Sequence, residues 1–306
     1  MKTIKWNEYE LSKLCLGTVQ FGLDYGIANK SGEISQSSVN MILKYVVANE
    51  VNSFDTGSMY GNSEEKIGHF FKNQNKLNIN IISKIKSDFF ILDVDEAVKN
   101  ISKSLNYLDI PSLFALLLHN CDALKNWTSN NDKLISVLKE QGLISYFGIS
   151  IYTDKEFNLA LKNKNVDVIQ IPFNLLDQRA ISKNWLVKAK EKNKLIFIRS
   201  VYLQGLILMD SNNIPDNLRK AKKYIEIIEE VSSELNITKN ELALSFVDQM
   251  AKEAILLFGC DNLEQAIENT LNYSNLPELN DETLDYLTDS LSATEEDIYN
   301  PTKWNN

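Results

Sequence analysis

Residues Leu113-Phe114-Ala115-Leu116-Leu117-Leu118-His119 form six consecutive apolar side chains closed by an imidazole. Side chains of a strand point alternately to opposite faces, so an unbroken apolar run reads as a strand covered on both faces. That is the pattern of a parallel sheet flanked by helices. The run is also far too short to span a bilayer. Working outward, comparable runs recur at Lys13–Thr18, Asn52–Asp55, Ile79–Lys84, Ser145–Ile149, Val166–Ile171, Lys194–Arg199 and Ile255–Gly259. Between them lie helical patterns at Val39–Glu50, Ser63–Lys72, Val94–Tyr107, Asp132–Gln141, Lys155–Lys162 and Ile181–Lys192. Asp216–Leu235, Lys239–Met250 and Asn262–Leu271 continue the series. Eight strand–helix units predict an α/β fold, a closed (β/α)8 TIM barrel, where an open doubly wound sheet would stop at fewer strands. Alternation in Thr3–Leu14 predicts an N-terminal β-hairpin plugging the barrel bottom, and Asp281–Ser290 an extra C-terminal helix. No linker or repeat divides the chain, so residues 1–306 read as one domain.

The 306 residues are 44% hydrophobic and 24% charged, with a net charge of -9. The acidic balance argues against a nucleic-acid partner, which needs clustered Lys and Arg, and no basic amphipathic stretch suggests a membrane surface. The first residues lack the apolar segment of a signal peptide. Cys15, Cys121 and Cys260 are far apart and odd in number, which fits reduced thiols in a cytoplasm. With two histidines in the chain, His69 and His119, a His-rich metal site is excluded, and no metal is expected.

In a barrel of this kind the active site lies at the C-terminal ends of the strands. The second predicted strand ends at Asp55, the third at Lys84 and the fourth at His119; Tyr60 lies on the loop after the second. Each residue alone has an ordinary structural explanation: satisfying loop amides, ending a strand, filling a core, packing on a rim. Three consecutive strands delivering the set make it more informative than any member. A tyrosine with a pKa of roughly 10 is a poor proton donor unless a nearby cation stabilises its phenolate. Lys84 would supply that charge, Asp55 would hold Lys84 protonated, and His119 would orient a substrate oxygen. The set suits protonating a carbonyl oxygen while a hydride reaches its carbon.

The chain resembles the aldo-keto reductase superfamily over most of its length. The resemblance rests on Leu16-Gly17-Thr18-Val19-Gln20-Phe21-Gly22 and on Phe54-Asp55-Thr56-Gly57-Ser58-Met59-Tyr60-Gly61-Asn62-Ser63-Glu64, where Gly57 replaces the usual alanine. It implies a barrel reductase acting on a small-molecule carbonyl substrate, with Asp55, Tyr60, Lys84 and His119 as catalytic residues and Tyr60 as the acid. Asn62 or Ser63 is expected to cap the following helix.

The resemblance also implies a nicotinamide cofactor, NADP(H) favoured over NAD(H). Gly17 and Thr18 lie on the first-strand segment that borders it. Ser150 and Gln170 match residues that hold the carboxamide, but Ile151 stands where the family has asparagine. In the segment Arg199-Ser200-Val201-Tyr202-Leu203-Gln204-Gly205, the family's loop wraps the pyrophosphate, so Ser200, Leu203 and Gly205 are cofactor candidates. Arg199 has three readings: pairing with a rim carboxylate, stacking on the nicotinamide, or binding an anionic group of substrate or cofactor. Gly259, Asn262, Gln265, Glu268 and Asn269 resemble the last cofactor motif, although no Lys or Arg for a 2′-phosphate lies among residues 259–269 and Asp261 is acidic. Tyr25 and Tyr202 are the substrate candidates. The forms of residues 17–27 and 199–206 are similar to bacterial reductases of sugar and surface-glycan metabolism, which implies a sugar-like or hydroxylated carbonyl. Two rivals stand beside this reading: an NADP-binding regulatory barrel with little turnover, and a cofactor-independent lyase using Lys84 as a Schiff-base amine.

Overall fold

The computed structural model describes residues 1–27, 32–72 and 78–304. An antiparallel hairpin, β1 (Thr3–Trp6) and β2 (Tyr9–Ser12), precedes the barrel. The barrel strands are β3 (Leu14–Gly17), β4 (Ser53–Asp55), β5 (Asn80–Ile85), β6 (Leu113–Leu118), β7 (Ile144–Ser150), β8 (Val168–Pro172), β9 (Leu195–Arg199) and β10 (Ile255–Phe258). Neighbours pair in parallel in chain order, and β10 closes on β3, giving the expected closed barrel.

Side-chain parity builds two apolar layers. Cys15, Ile82, Ala115, Leu117, Val168, Phe197, Ile255 and Leu257 form the barrel interior. Their neighbours, such as Leu16, Phe54, Leu116, Ile169, Ile198 and Leu256, face the helices and join the larger outer core. The hairpin closes the bottom as expected. Leu11 enters the interior cluster, and Trp6 and Tyr9 pack edge-on against Phe114 and Tyr146 with ring centroids 4.6–6.5 Å apart. Following the same parity upward, Gly17, Asp55, Lys84, His119, Ser150, Gln170, Arg199 and Gly259 continue the inward-facing series at the open end.

Three local expectations are corrected. The single helix expected over Ile181–Lys192 is two pieces, Arg179–Ser182 and Trp185–Glu191, broken at Asn184, whose φ of 55° is the left-handed conformation asparagine tolerates. Residues Asp216–Ala221 form a 3-10 turn, and the α-helix runs only from Lys222 to Glu234. Asn62 stands at the start of the helix Ser63–Phe71 without a side-chain cap bond; its amide reaches Glu33 at 3.1 Å instead. The extra C-terminal helix is present as Asp281–Leu291, capped by Asn280. Among the described residues, no helix is long and apolar enough to cross a membrane.

Candidate active site

The cleft at the C-terminal ends of the strands encloses about 640 Å³. At its base, Lys84 Nζ donates to Asp55 Oδ1 and lies 3.3 Å from the Tyr60 hydroxyl. Asp55 Oδ2 accepts from Gln170 Nε2 at 2.8 Å. The His119 ring stands edge-on to Tyr60, centroids 6.3 Å apart, and its backbone is tied to Ile85. The structure therefore brings the four predicted catalytic side chains together.

Tyr60 is seated by a close backbone approach between two loops. Gly61 has φ 54°, and a Cβ there would lie 2.2 Å from the Gly22 carbonyl oxygen; a Cβ on Gly22 would lie 1.9 Å from that of Tyr60. Ser63 adds to the clamp: its hydroxyl lies 3.0 Å from the Thr18 carbonyl, 2.9 Å from Thr18 Oγ1 and 3.1 Å from Thr56 Oγ1. The hydroxyl is thus committed to holding the first two strand-end loops together.

Electrostatics fit proton delivery from a protonated tyrosine. Burial raises the Tyr60 pKa, and Lys84 offsets this only in part. Desolvation of the phenolate outweighs the cation, so Tyr60 holds its proton more tightly than a free tyrosine. Burial opposes the charge on Lys84, but Asp55 and Tyr60 outweigh it and raise its pKa. An ammonium so held is a poor amine nucleophile, which weighs against the Schiff-base rival. Burial, with Lys84 and Arg199 nearby, lowers the His119 pKa, leaving a neutral imidazole.

Arg199 is anchored at this end of the cleft. Its guanidinium donates to Ser150 Oγ at 3.2 Å, Ser200 Oγ at 3.3 Å and the Ile151 carbonyl at 3.0 Å, and stacks 4.0 Å over the Tyr152 ring. The rim-carboxylate reading is not what the structure shows, since among the described residues Arg199 has no ion pair. Ser150 and the Ile151 carbonyl serve Arg199, and Gln170 Nε2 serves Asp55. Tyr152, Gln20 and Asn240 also line the cleft and were not foreseen; Tyr152 and Gln20 follow strand ends, whereas Asn240, on a helix, carries no such signal.

The second arm of the cleft suits an elongated cofactor. Gly17, Thr18, Ser200, Gly205, Gly259, Gln265, Glu268 and Asn269 all line it. A Cβ on Gly259 would lie 2.7 Å from Gln20 Nε2, so the Gln20 side chain would have to swing aside to admit one. The buried Gln170 Oε1 lacks a protein donor, as a site for a carboxamide would. Two candidates stand apart. Asn262 is exposed and caps the helix Leu263–Ser274 by accepting from Gln265 N at 2.9 Å. Leu203 is buried in the outer core, so only its backbone remains for a ligand. Tyr25, 40% exposed, borders the cleft. The Tyr202 hydroxyl bonds Asn269 and Asn240, grouping it with the cofactor arm rather than with Tyr60. Among the described residues, no group of three acidic, His or Cys side chains could hold a metal.

Residues 13–292 match the sequence model of the Aldo/keto reductase family. The chain belongs to that family. This aldo/keto reductase is 24% identical to the uncharacterized oxidoreductase YqkF of Bacillus subtilis strain 168, over 96% of each chain. Among solved structures it resembles the aldo-keto reductase AKR11C1 from Bacillus halodurans, with a TM-score of 0.78 at 18% identity over 98% of this chain and 99% of that one. It also resembles an aldo/keto reductase from Klebsiella pneumoniae in complex with NADP and acetate, with a TM-score of 0.73 at 17% identity over 95% of each chain. Identities this low carry the fold. Family membership makes this aldo/keto reductase an oxidoreductase.

Proposed function

We propose that the protein reduces an aldehyde or ketone to an alcohol with NADP(H), NAD(H) being the alternative. The observation that carries this is Lys84 Nζ placed between the Asp55 carboxylate and the Tyr60 hydroxyl, 3.3 Å from the latter, at the base of the cleft. When bound, the nicotinamide supplies the hydride. The chain's own residues do the rest. His119, neutral, donates to the carbonyl oxygen and fixes its angle. Tyr60 passes its proton to that oxygen as negative charge develops there. Lys84 stabilises the phenolate left behind, and Asp55 keeps Lys84 charged and aimed. A Klebsiella pneumoniae structure with NADP supports the cofactor, as does the arm from Gly205 to Asn269. A sugar-like or hydroxylated substrate rests on the forms of residues 17–27 and 199–206. The three cysteines are buried and unpaired, which fits the cytoplasmic reading.

The test is fluorescence titration with NADPH and NADH, followed by turnover on an aldehyde panel. Tyr60→Phe is expected to bind cofactor like the wild type while turnover falls about a hundredfold or more. Tight cofactor binding without turnover in the wild type would favour the regulatory barrel instead.

A further inference from the structure

Among the described residues, Arg199 is the cation at the catalytic end of the cleft that has no counter-ion. Lys84 is neutralised by Asp55, and His119 is held neutral. Arg199 is only partly exposed and forms no ion pair among the described residues. Facing the cleft with no carboxylate partner, this charge is open to an anion that arrives from outside. Of the five N–H groups of a guanidinium, three are used by Ser150, Ser200 and the Ile151 carbonyl. Two remain, in a fork held rigid by those bonds and by the Tyr152 ring beneath it. A pre-oriented fork beside a tyrosine face is the geometry that takes a carboxylate or phosphate oxygen pair.

We propose that the substrate is an aldehyde or ketone bearing an anionic group, carboxylate or phosphate, and that Arg199, backed by Tyr152 and Ser150, is the residue that selects it. This rests on the reductase reading above and adds the substrate class to it. Arg199 lines the same cleft as Tyr60, His119 and Tyr25, and its bonds to Ser150 and the Ile151 carbonyl hold it at the end of β7. The cofactor-binding arm of the experiment below distinguishes a substrate anion from the cofactor's phosphates. Tyr25 and Tyr152 would flank the carbon skeleton between the anion and the carbonyl.

The experiment compares 4-formylbenzoate with its neutral methyl ester, which share ring and reacting carbonyl. In the wild type the acid is expected to exceed the ester in kcat/KM by about tenfold or more, the scale of a charge-assisted bidentate contact. The ratio should fall toward one in Arg199→Gln and lie between in Arg199→Lys, which keeps the charge without the fork and serves where the Gln variant fails to fold. Because the quantity is a ratio, a general loss of activity cancels. A wild-type ratio near one, or a ratio unchanged in both variants, overturns the proposal. If Arg199→Gln weakens NADPH binding while the acid-to-ester ratio persists, Arg199 serves the cofactor's phosphates and the proposal is likewise overturned. Calorimetry on cofactor-loaded Tyr60→Phe with 4-(hydroxymethyl)benzoate and its methyl ester separates the two readings. Preferential binding of the acid with no wild-type turnover would uphold the Arg199 assignment and sink the reductase reading. Turnover of both probes with equal kcat/KM would do the reverse.

Discussion

Gln170 on β8 donates to the Asp55 carboxylate on β4, directly across the barrel mouth, at 2.8 Å. Asp55 thus has a donor on each oxygen, Lys84 on one and Gln170 on the other. Replacing Gln170 by Leu removes the second donor from a buried carboxylate, at a cost of about 1–3 kcal/mol. It also frees Asp55 to turn away from Lys84. Urea denaturation should show that loss, and kcat should fall about ten- to a hundredfold through misplacement of the Lys84–Tyr60 pair. Wild-type kcat in Gln170→Leu would mean that Asp55 needs no second anchor.

The Lys84–Asp55 pair is buried, with side-chain exposures of 6% and 3%. Lys84→Met leaves an uncompensated carboxylate and should destabilise the fold by about 3–5 kcal/mol. Lys84→Met combined with Asp55→Leu removes both charges and should regain much of that loss while remaining inactive. The four proteins form a double-mutant cycle in denaturant. Additive effects would show that the two side chains are not coupled in the folded protein.

Tyr60 and Lys84 both carry raised pKa values, Tyr60 because burial outweighs Lys84, and Lys84 because Asp55 and Tyr60 outweigh burial. Above about pH 10 the unfolded chain releases protons that the native pair still holds. Their contribution to stability is therefore complete below about pH 10 and is lost as pH rises through the higher folded values. Carbonyl reduction should be insensitive to Tyr60 ionisation through neutrality and decline only on the alkaline side. A pH–rate profile with the Tyr60 limb near neutrality would contradict this. His119 works at the acid end. Burial, then Lys84 and Arg199, lower its pKa, so stability falls as pH drops from about 6.5 through the lower folded value. His119→Asn should flatten that part of the stability curve.

Gly57 and Gly61 stand in the same loop but should respond oppositely to alanine. A Cβ on Gly57 meets Lys84 and Tyr60 atoms at 3.4 Å, an ordinary contact. Gly57→Ala should be neutral or stabilise by about 0.4–1 kcal/mol through the unfolded chain, with activity kept. At Gly61, φ is 54° and the Gly22 oxygen would lie 2.2 Å from the new carbon. Gly61→Ala should separate the two loops, displace Tyr60 and lower both melting temperature and kcat. Thermal melts and steady-state rates on the two variants check this.

The cluster of candidate residues was legible because a barrel turns a linear cue into a spatial one. Asp55, Lys84 and His119 each close an apolar run, and each shares parity with interior residues two positions earlier: Ser53, Ile82 and Leu117. The same parity reaches Ser150, Gln170, Arg199 and Gly259, so the inward series was present in the sequence before any contact was known. What the pattern could not carry was partnership. Gln170 matched a cofactor residue, and its Nε2 also holds Asp55 while its Oε1 has no protein donor. Ser63 looked like a helix cap, yet its hydroxyl joins Thr18 and Thr56. Such pairings depend on which strands face or flank each other, and polar side chains bond whatever the fold brings near.

By itself, the sequence determined the eight strands, the closed barrel, the hairpin beneath it and the identity of the four catalytic candidates. Hydrophobic periodicity reports burial directly, and burial decides where each strand runs. Only the tertiary structure decided that burial outweighs Lys84 at Tyr60, that Arg199 stacks on Tyr152 with no ion pair among the described residues, and that the Tyr202 hydroxyl bonds Asn240 and Asn269. Those outcomes turn on desolvation and on distances of a few ångströms between residues far apart in the chain, which a pattern of residue types does not encode.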